Sequence, residues 1–200
     1  MLTKIKICGL TRQCDIDAVN IAKPDYTGFV FAPSHLKIDA PTAACLRKRL
    51  SPDIIPVGVF VNESIESIIS IIGDGVIDMV QLHGDETEEY MQTLKSLTDK
   101  PVIKAISVLN AGDVQKWADT CADYILLDSK GGATGQAFDW SLIGNVTKPY
   151  FLAGGLNADN VANAINQTTP FVVDVSSGVE TDGLKDPMKI KEFIRRVRHG

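Results

Sequence analysis

Short apolar runs recur along the chain and are separated by amphipathic segments. Eight such runs are rich in Val, Ile and Phe and are bounded by Gly, Pro, Asp or Ser, a composition typical of buried strands. Their starting points lie about 21 to 27 residues apart, which is enough for one strand, one helix and two short loops. The runs are 5–8, 27–31, 54–60, 78–83, 102–107, 124–128, 150–155 and 171–177.

The segments between the runs have the apolar spacing and the start signals of helices. Thr11, Ser64 and Asn157 are predicted to cap three of them. Asp186 followed by Pro187 is predicted to begin the last one, because these residue types are favoured at helix N-termini. Alternation of helices with nearly continuous apolar strands predicts a parallel sheet covered by helices.

Eight strand–helix units predict an α/β fold, a (β/α)8 TIM barrel formed by a single domain over residues 1–200. The alternative is an open, doubly wound sheet. That fold usually has fewer strands and a glycine fingerprint after the first strand, whereas Gly-Leu-Thr-Arg follows the first strand here. The barrel is therefore the favoured architecture.

The overall charge argues against nucleic acid as a partner. The formal net charge is −5 and the pI is about 5.2, whereas nucleic-acid binding needs a clearly basic surface. No apolar run approaches the roughly 20 residues that span a bilayer, and the N-terminus lacks the apolar segment of a signal peptide. We therefore expect a cytoplasmic protein without a membrane partner.

Cys8 is the candidate base or nucleophile among four cysteines. Cys14, Cys45 and Cys121 lie in or near predicted helices, and the spacings fit neither a zinc site nor a disulfide scaffold, so we expect free thiols and no metal. Alternation along the first strand places Lys6 and Cys8 on the same, inward face. A cation one pleat below a thiol favours the thiolate and lowers its pKa. The alternative is that Lys6 pairs with an acidic residue deep in the barrel.

Asp128 is the second candidate catalytic residue. It ends the sixth strand, and the catalytic residues of such barrels come from the carboxyl ends of the strands. A carboxyl group at the mouth of a barrel acts as an acid when burial raises its pKa. The next segment, SKGGATGQ at 129–136, is interpreted either as a lid over the substrate or as a simple flexible loop.

The last two strands end in sequences that suit a phosphate group. AGGLN ends the seventh strand, and DVSSGVE ends the eighth. Barrels often bind a phosphate at these two loops and at the start of a short extra helix, which 178–180 would begin. Simple tight turns are the alternative. The predicted phosphate-binding residues are Gly154, Gly155, Ser176, Ser177 and Gly178.

Several motifs together resemble the phosphoribosylanthranilate isomerase family of tryptophan biosynthesis. The resemblance implies a (β/α)8 barrel that needs neither a cofactor nor a metal. It also implies an Amadori rearrangement, an aldose–ketose isomerisation that converts N-(5-phosphoribosyl)anthranilate to 1-(2-carboxyphenylamino)-1-deoxyribulose 5-phosphate. The motifs, which cover essentially the whole chain in the family's order, are KIKICGLTR, GFVF, VGVFVNE, VQLHGDE, LLDSKGGATGQAFDW, FLAGGLNADNV and DVSSGVE.

Carried over by motif, the resemblance implies Cys8 as the general base and Asp128 as the general acid. Asp128 would protonate the ribose ring oxygen and open the ring to a Schiff base, and Cys8 would then take the C2 proton. The two glycine-rich loops would hold the phosphate, and Asp174 would contact the substrate. His83 would line the pocket in a supporting role.

One position departs from the family pattern. After GFVF the family usually has a serine and, two residues on, an arginine that pairs with the anthranilate carboxylate. Leu36 stands at that place here, with His35 and Lys37 beside it. Lys37 is the predicted substitute, and Arg12 is a second candidate. Because lysine lacks the bidentate fork of arginine, we expect anthranilate binding to be weaker by about 1–2 kcal/mol.

Other phosphate-binding barrels are the alternatives. A metal-dependent sugar-phosphate epimerase needs several histidine and carboxylate ligands at strand ends, and only three histidines are present, at 35, 83 and 199. The aminoaldose isomerase of histidine biosynthesis has an aspartate where Cys8 stands. A non-catalytic phosphosugar-binding barrel is supported only by Leu36. The sequence leaves both a monomer and a homodimer open.

Overall fold

The protein forms a closed barrel of eight parallel strands. The computed structural model describes residues 2–129, 137–144 and 146–200. Each strand pairs with the next along the chain, and the eighth pairs with the first. The predicted (β/α)8 barrel is therefore confirmed, and the open sheet is excluded. The strands are β1 Lys4–Cys8, β2 Tyr26–Val30, β3 Ile55–Phe60, β4 Met79–Leu82, β5 Val102–Ser107, β6 Tyr124–Asp128, β7 Tyr150–Leu152 and β8 Val172–Val175.

Helices cover the outside of the barrel. In the sixth unit the described part contains only a 3₁₀ helix, Trp140–Ile143. No helix in the described ranges is both long enough and apolar enough to cross a bilayer. The α-helices are α1 Gln13–Ala22, α2 Ala40–Arg47, α3 Ile65–Gly73, α4 Glu88–Leu97, α5 Ala111–Gln115, α6 Val161–Thr168 and α7 Pro187–His199.

Side-chain caps determine where several helices begin. Ser64 caps α3 and Asp186 caps α7 through bonds to backbone N–H groups, as predicted. Helix α1 begins after Arg12 instead of Thr11, so that prediction is wrong by one residue. The reason is Asp15, whose carboxylate accepts bonds from the N–H groups of both Thr11 and Arg12.

Two apolar regions stabilise the barrel. One lies between the sheet and the helices, and the other fills the interior of the barrel. In the interior, the Phe151 ring packs against Tyr26 and Tyr124 with ring centroids 5.6 Å apart in each pair. These three rings belong to the first or second residue of their strands. Because that end is filled, polar chemistry is confined to the carboxyl ends of the strands.

A small hairpin interrupts the connection from β8 to α7. Its strands are β9 Glu180–Thr181 and β10 Leu184–Lys185, which pair antiparallel. Asp182 and Gly183 form the turn with φ of 52° and 74°, as a two-residue turn with two positive φ angles requires. Each strand has only two residues, which is too short for an apolar pattern to predict. The hairpin buries Lys185, which is 4% exposed.

Candidate active site

Lys6 and Asp174 form a buried ion pair inside the barrel. Strands β1 and β8 place the two residues opposite each other, with 2.7 Å between Lys6 Nζ and Asp174 Oδ2. Burial alone lowers the pKa of Lys6, but the Asp174 carboxylate and Cys8 more than offset this, so that the pKa is raised. Lys6 therefore pairs with a deep acidic residue, which is the second of the two roles expected for it.

Cys8 lies two residues further along β1 and is half-buried. Burial raises the pKa of its thiol, Lys6 and Lys185 lower it, and Asp174 raises it; the net direction is upward. Lys6 thus acts in the expected direction, but desolvation of the thiolate outweighs it. The expectation of a thiol pKa below the usual value is therefore wrong for the free protein.

Gly28 on β2 makes room for the thiol. Cys8 and Gly28 are paired residues of neighbouring strands, and a Cβ atom at position 28 would lie 2.5 Å from Cys8 Sγ. A larger residue would therefore push the thiol out of place. Cys8 and Leu36 also pack against a small apolar cluster. The cluster consists of Val30, Ala32 and Val59.

Asp128 lies next to His83 at the carboxyl end of the barrel. The distance between Asp128 Oδ2 and His83 Nε2 is 3.4 Å. On the other side of the ring, the Gln81 amide nitrogen lies 2.9 Å from His83 Nδ1. In the tautomer in which Nδ1 accepts this hydrogen bond, the ring hydrogen is on Nε2, on the side of Asp128. Gln81, which is 2% exposed, thereby orients His83 toward the carboxylate.

Gly154 allows the loop after β7 to approach β6 closely. Its φ is 82°, and a Cβ atom would lie 2.8 Å from Asp128 Oδ1 and 2.6 Å from the Ser129 nitrogen. Both the backbone conformation and the space therefore require glycine. This residue, predicted to bind phosphate, thus also contacts the predicted acid.

The loops after β7 and β8 touch each other. A Cβ atom at Gly178 would lie 1.9 Å from the Leu156 carbonyl oxygen, so only glycine fits this contact. The Gly155 carbonyl oxygen accepts a 2.9 Å hydrogen bond from Asn160 Nδ2. Asn157 accepts a bond from the Asn160 N–H, and α6 begins only after Asn160, so the predicted cap at Asn157 is wrong.

The two serines after β8 have different environments. Ser176 is half-buried, and its hydroxyl donates a 3.2 Å hydrogen bond to the Cys8 carbonyl oxygen. Ser177 is exposed and begins a 3₁₀ helix, Ser177–Val179, whose first N–H groups have no partner within the helix. All five predicted phosphate-binding residues thus lie on two neighbouring loops. Their binding of a phosphate stays a prediction.

The cationic groups considered for the anthranilate carboxylate differ in availability. Lys37 is exposed, whereas Leu36 packs on the same apolar cluster as Cys8. The Arg12 guanidinium donates to Asp15 at 3.0 and 2.7 Å and to a backbone carbonyl of β10 at 2.9 Å. Arg12 is therefore held by protein groups, and Lys37 stays the predicted carboxylate-binding residue.

Asp174 connects the two sides of the site. One carboxylate oxygen pairs with Lys6, and the other, Oδ1, is buried without a hydrogen-bond partner among the described residues. Asp128 and His83 are close enough to Asp174 to interact with it electrostatically, and Asp174 in turn acts on Cys8. Thiol, acid and histidine therefore belong to one electrostatic cluster.

A cavity of about 730 Å³ opens beside His83. Its described lining comes from β5, from the segments after β3 and β4, and from helices α4 and α5. The predicted acid and base are not among these lining residues. A buried ion pair, with 2.7 Å between Lys104 Nζ and Glu86 Oε2, forms one wall. Lys104 also donates to the Gly84 carbonyl oxygen at 2.6 Å. This pair therefore holds the loop that carries His83.

The predicted lid and the predicted independence from metals and cofactors both stay predictions. The lid predicted at 129–136 lies outside the described residues except for Ser129. Within the described ranges, no group of three His, Cys, Asp or Glu side chains is placed to hold a metal ion. Independence from metals and cofactors stays a prediction.

The arrangement defines a class of protein. A closed barrel with ionisable side chains grouped at the carboxyl ends of its strands is the architecture of (β/α)8-barrel enzymes, and a thiol with a carboxyl group suits acid–base chemistry. Residues 5–196 match the family described as N-(5'phosphoribosyl)anthranilate (PRA) isomerase. The chain belongs to this family.

Individual relatives are similar to this chain over nearly their whole length. The N-(5'-phosphoribosyl)anthranilate isomerase of Endomicrobium trichonymphae is 49% identical over 201 residues, which cover 98% of this chain and 99% of that protein. A crystal structure of monomers generated from the dimeric isomerase of Thermotoga maritima is 38% identical, with a TM-score of 0.88 and coverage of 98% and 99%. A crystal structure of a phosphoribosyl anthranilate isomerase in complex with reduced 1-(o-carboxyphenylamino)-1-deoxyribulose 5-phosphate has the same identity, TM-score and coverage.

The family expected from the sequence motifs is thereby confirmed, and with it the isomerase activity. The family belongs to the aldose–ketose isomerases and serves tryptophan biosynthesis. The structure also gives roles to residues for which the motifs imply none. They are Gly28, Gln81, Glu86, Lys104 and Lys185.

Proposed function

We propose that this chain converts N-(5-phosphoribosyl)anthranilate to 1-(2-carboxyphenylamino)-1-deoxyribulose 5-phosphate with Cys8 as general base and Asp128 as general acid. The observation that carries the proposal is the position of Asp174, which interacts with Lys6 and Cys8 on one side and with Asp128 and His83 on the other. A base and an acid are therefore available at one site. The ligand in the solved structure of a relative supports the substrate class.

Asp128 performs the first step. Its carboxyl group donates a proton to the ribose ring oxygen while the C1–O bond breaks, and the lone pair of the anthranilate nitrogen forms the C1=N bond of a Schiff base. The carboxylate that remains lies 3.4 Å from His83 Nε2. In the tautomer with its hydrogen on Nε2, His83 donates to this carboxylate and stabilises it. His83 thus supports the acid without transferring a proton.

Cys8 performs the second step. Its thiolate removes the C2 proton, the electrons of that C–H bond form the C1=C2 bond, and the electrons of C1=N return to nitrogen. The resulting enolamine becomes the ketone when its C2 hydroxyl loses a proton and C1 gains one. Asp174 Oδ1, which has no partner among the described residues, is the proposed acceptor for a sugar hydroxyl group.

The loops after β7 and β8 are proposed to bind the phosphate. Gly155 has no side chain to block the approach of an anion, and Gly178 lets the two loops meet. The start of the Ser177–Val179 helix offers backbone N–H groups. At the other end of the substrate, exposed Lys37 is proposed to hold the anthranilate carboxylate as a point charge.

The organisation of the protein is proposed from the same reasoning. Residues 1–200 act as a single catalytic domain in the cytoplasm, on a small phosphosugar, without nucleic acid or membrane. The assembly is a monomer or a homodimer, and the Thermotoga maritima relative is described as dimeric. Light scattering on the purified protein distinguishes the two states.

Turnover by the purified protein tests the proposal. Substrate and product are quantified by liquid chromatography for the wild type and for Cys8→Ala and Asp128→Asn, and folding is checked by circular dichroism. Loss of the general base or acid is expected to lower kcat by about 10²–10⁴-fold. Cys14→Ala, which changes an exposed thiol on α1, serves as the matched control. Full activity in either site variant would remove that residue from the mechanism.

A further inference from the structure

A second buried lysine–carboxylate pair lies close to Cys8. Lys185 of β10 pairs with a carboxylate oxygen of Glu180. Its ammonium group also donates to the Ser176 hydroxyl at 3.2 Å and to the Ser176 carbonyl oxygen at 3.3 Å. These three bonds use all three ammonium hydrogens. Lys185 is therefore held in one position by protein groups and is unavailable for direct binding of a substrate.

Ser176 connects Lys185 to the strand that carries the thiol. The Ser176 hydroxyl accepts from Lys185 and donates at 3.2 Å to the Cys8 carbonyl oxygen. A Cβ atom at Gly9 would lie 3.4 Å from Lys185 Nζ, so the ammonium group lies against the backbone just after Cys8. Arg12 Nη2 adds a 2.9 Å bond to the Lys185 carbonyl oxygen. The hairpin is thus tied to the β1–α1 connection at two places.

The charged groups around Cys8 come from several elements. Lys6 lies on its own strand, and Lys185 lies on β10; both favour the thiolate. The Glu180 partner of Lys185 has its other oxygen 3.7 Å from His35 Nε2. From β2 only uncharged residues face the thiol. Within the part of the chain that the structure describes, the remaining charged or titratable groups of the cluster are Asp174 on β8, Asp128 on β6 and His83 after β4.

We propose that Lys185 is a positioning residue for the isomerisation. It holds the loop after β8 against β1 through Ser176, and it supplies a second cation beside the thiol of Cys8. The inference rests on the proposed role of Cys8 as the base. It adds a residue that makes no contact with the substrate and that acts through Ser176 and Cys8.

Alkylation of Cys8 by iodoacetamide tests the role of the charge. Trypsin cleaves after Lys6 and Arg12, and residues 7–12 contain Cys8 as their only cysteine, so mass spectrometry of this peptide measures Cys8 alone. In Lys185→Met, alkylation at neutral pH is expected to be about tenfold slower than in the wild type, because the thiolate loses a neighbouring cation. The pH profile of alkylation is expected to move to higher pH.

Two further variants separate this effect from a loss of folding. Glu180→Gln combined with Lys185→Met removes both charges, so that no unpaired carboxylate stays buried; Cys8 alkylation is again expected to be slower than in the wild type. Lys100→Met removes another lysine with a carboxylate 2.8 Å away, before the start of β5 and so at the opposite end of the barrel from Cys8. It is expected to leave the alkylation profile of Cys8 unchanged. Circular dichroism confirms that each variant is folded.

Stabilisation by inorganic phosphate tests whether Lys185 holds the loop after β8 in place. Phosphate is expected to raise the melting temperature of the wild type, and the double variant is expected to need about tenfold more phosphate for the same rise, a loss comparable to one charge-assisted hydrogen bond. An unchanged Cys8 profile or an unchanged phosphate response in the folded double variant would overturn the proposal. Full isomerase activity of Cys8→Ala would instead overturn the proposed function and leave the alkylation result intact.

Discussion

A Cβ atom on Gly28 would lie 2.5 Å from the sulfur of Cys8. The two residues are paired across β1 and β2, so the thiol has its space only because β2 lacks a side chain at that point. A glycine in the middle of a strand weakens the strand and often marks a close approach. Here the close approach is that of the proposed base.

Replacing Gly28 by alanine is expected to lower kcat/KM by about 10²-fold, because the added methyl group displaces the thiol and a misplacement of about 1 Å has an effect of this size. The fold is expected to lose about 1–3 kcal/mol of unfolding free energy from overpacking. Steady-state kinetics and urea denaturation measure the two effects.

Gly58→Ala is the matched control for this prediction. A Cβ atom at Gly58 would lie 2.7 Å from side-chain atoms of Ile77 and Phe60, which belong to the core between the sheet and the helices. It should therefore overpack the protein without moving Cys8. An equal loss of kcat/KM in both variants would show that overpacking, and not displacement of the Cys8 thiol, causes the effect of Gly28→Ala.

The alkylation of Cys8 by iodoacetamide is expected to become faster as the pH rises. Burial raises the pKa of the Cys8 thiol, and although Lys6 opposes this, the net direction is upward. Only the deprotonated thiol is alkylated, so at neutral pH a small fraction of Cys8 is reactive. Below the thiol pKa that fraction grows about tenfold per pH unit. The alkylation rate of the peptide 7–12, measured by mass spectrometry, should increase into the alkaline range; a rate that stays constant between pH 6 and 9 would contradict a raised thiol pKa.

Leu36→Arg is expected to lower KM. Leu36 packs on the apolar cluster beside Cys8, and an arginine there keeps an apolar stem while adding a fork for a carboxylate. An interaction of about 1–2 kcal/mol corresponds to a decrease in KM of about 5- to 30-fold. A KM for Leu36→Arg at or above that of the wild type would contradict the expected weakness of carboxylate binding.

Lys37→Ala tests the proposed substitute for that arginine. If exposed Lys37 holds the anthranilate carboxylate, its loss should raise KM with little change in kcat, because the carboxylate is bound equally in ground and transition states. Lys48→Ala, an exposed lysine at the end of α2, should leave KM unchanged. Equal KM values for the two variants would remove Lys37 from the site.

The strands were predictable because each apolar run is bounded by turn-forming residues, but their ends were not. The run at 150–155 predicts a longer seventh strand, whereas β7 ends at Leu152. Gly154 and Gly155 both have positive φ, a conformation outside the range of a strand. Similarly, β8 ends at Val175, before the 3₁₀ helix at Ser177–Val179 begins.

Alternation along one strand made part of the site predictable, beside the residues expected from strand ends and motifs. Lys6 and Cys8 share a face of β1, and this follows from the period of two. The ion partner of Lys6 comes from β8, and the thiol pKa depends on how far burial outweighs that pair. A local sequence pattern therefore predicts neither the partner of Lys6 nor the direction of the shift in the thiol pKa. The burial of Lys185 was even less predictable, because it depends on a hairpin whose strands have two residues each.

The buried pair of Lys6 and Asp174 is expected to show strong coupling. Lys6→Met leaves the Asp174 carboxylate, 7% exposed, without its partner and should reduce the unfolding free energy by about 3–5 kcal/mol. Lys6→Met combined with Asp174→Leu replaces the pair by apolar side chains and should recover most of that loss, because apolar replacements of buried pairs are often neutral. Urea denaturation of both single variants and the double variant measures the coupling. Losses that simply add would mean that the 2.7 Å contact contributes nothing to the stability of the barrel.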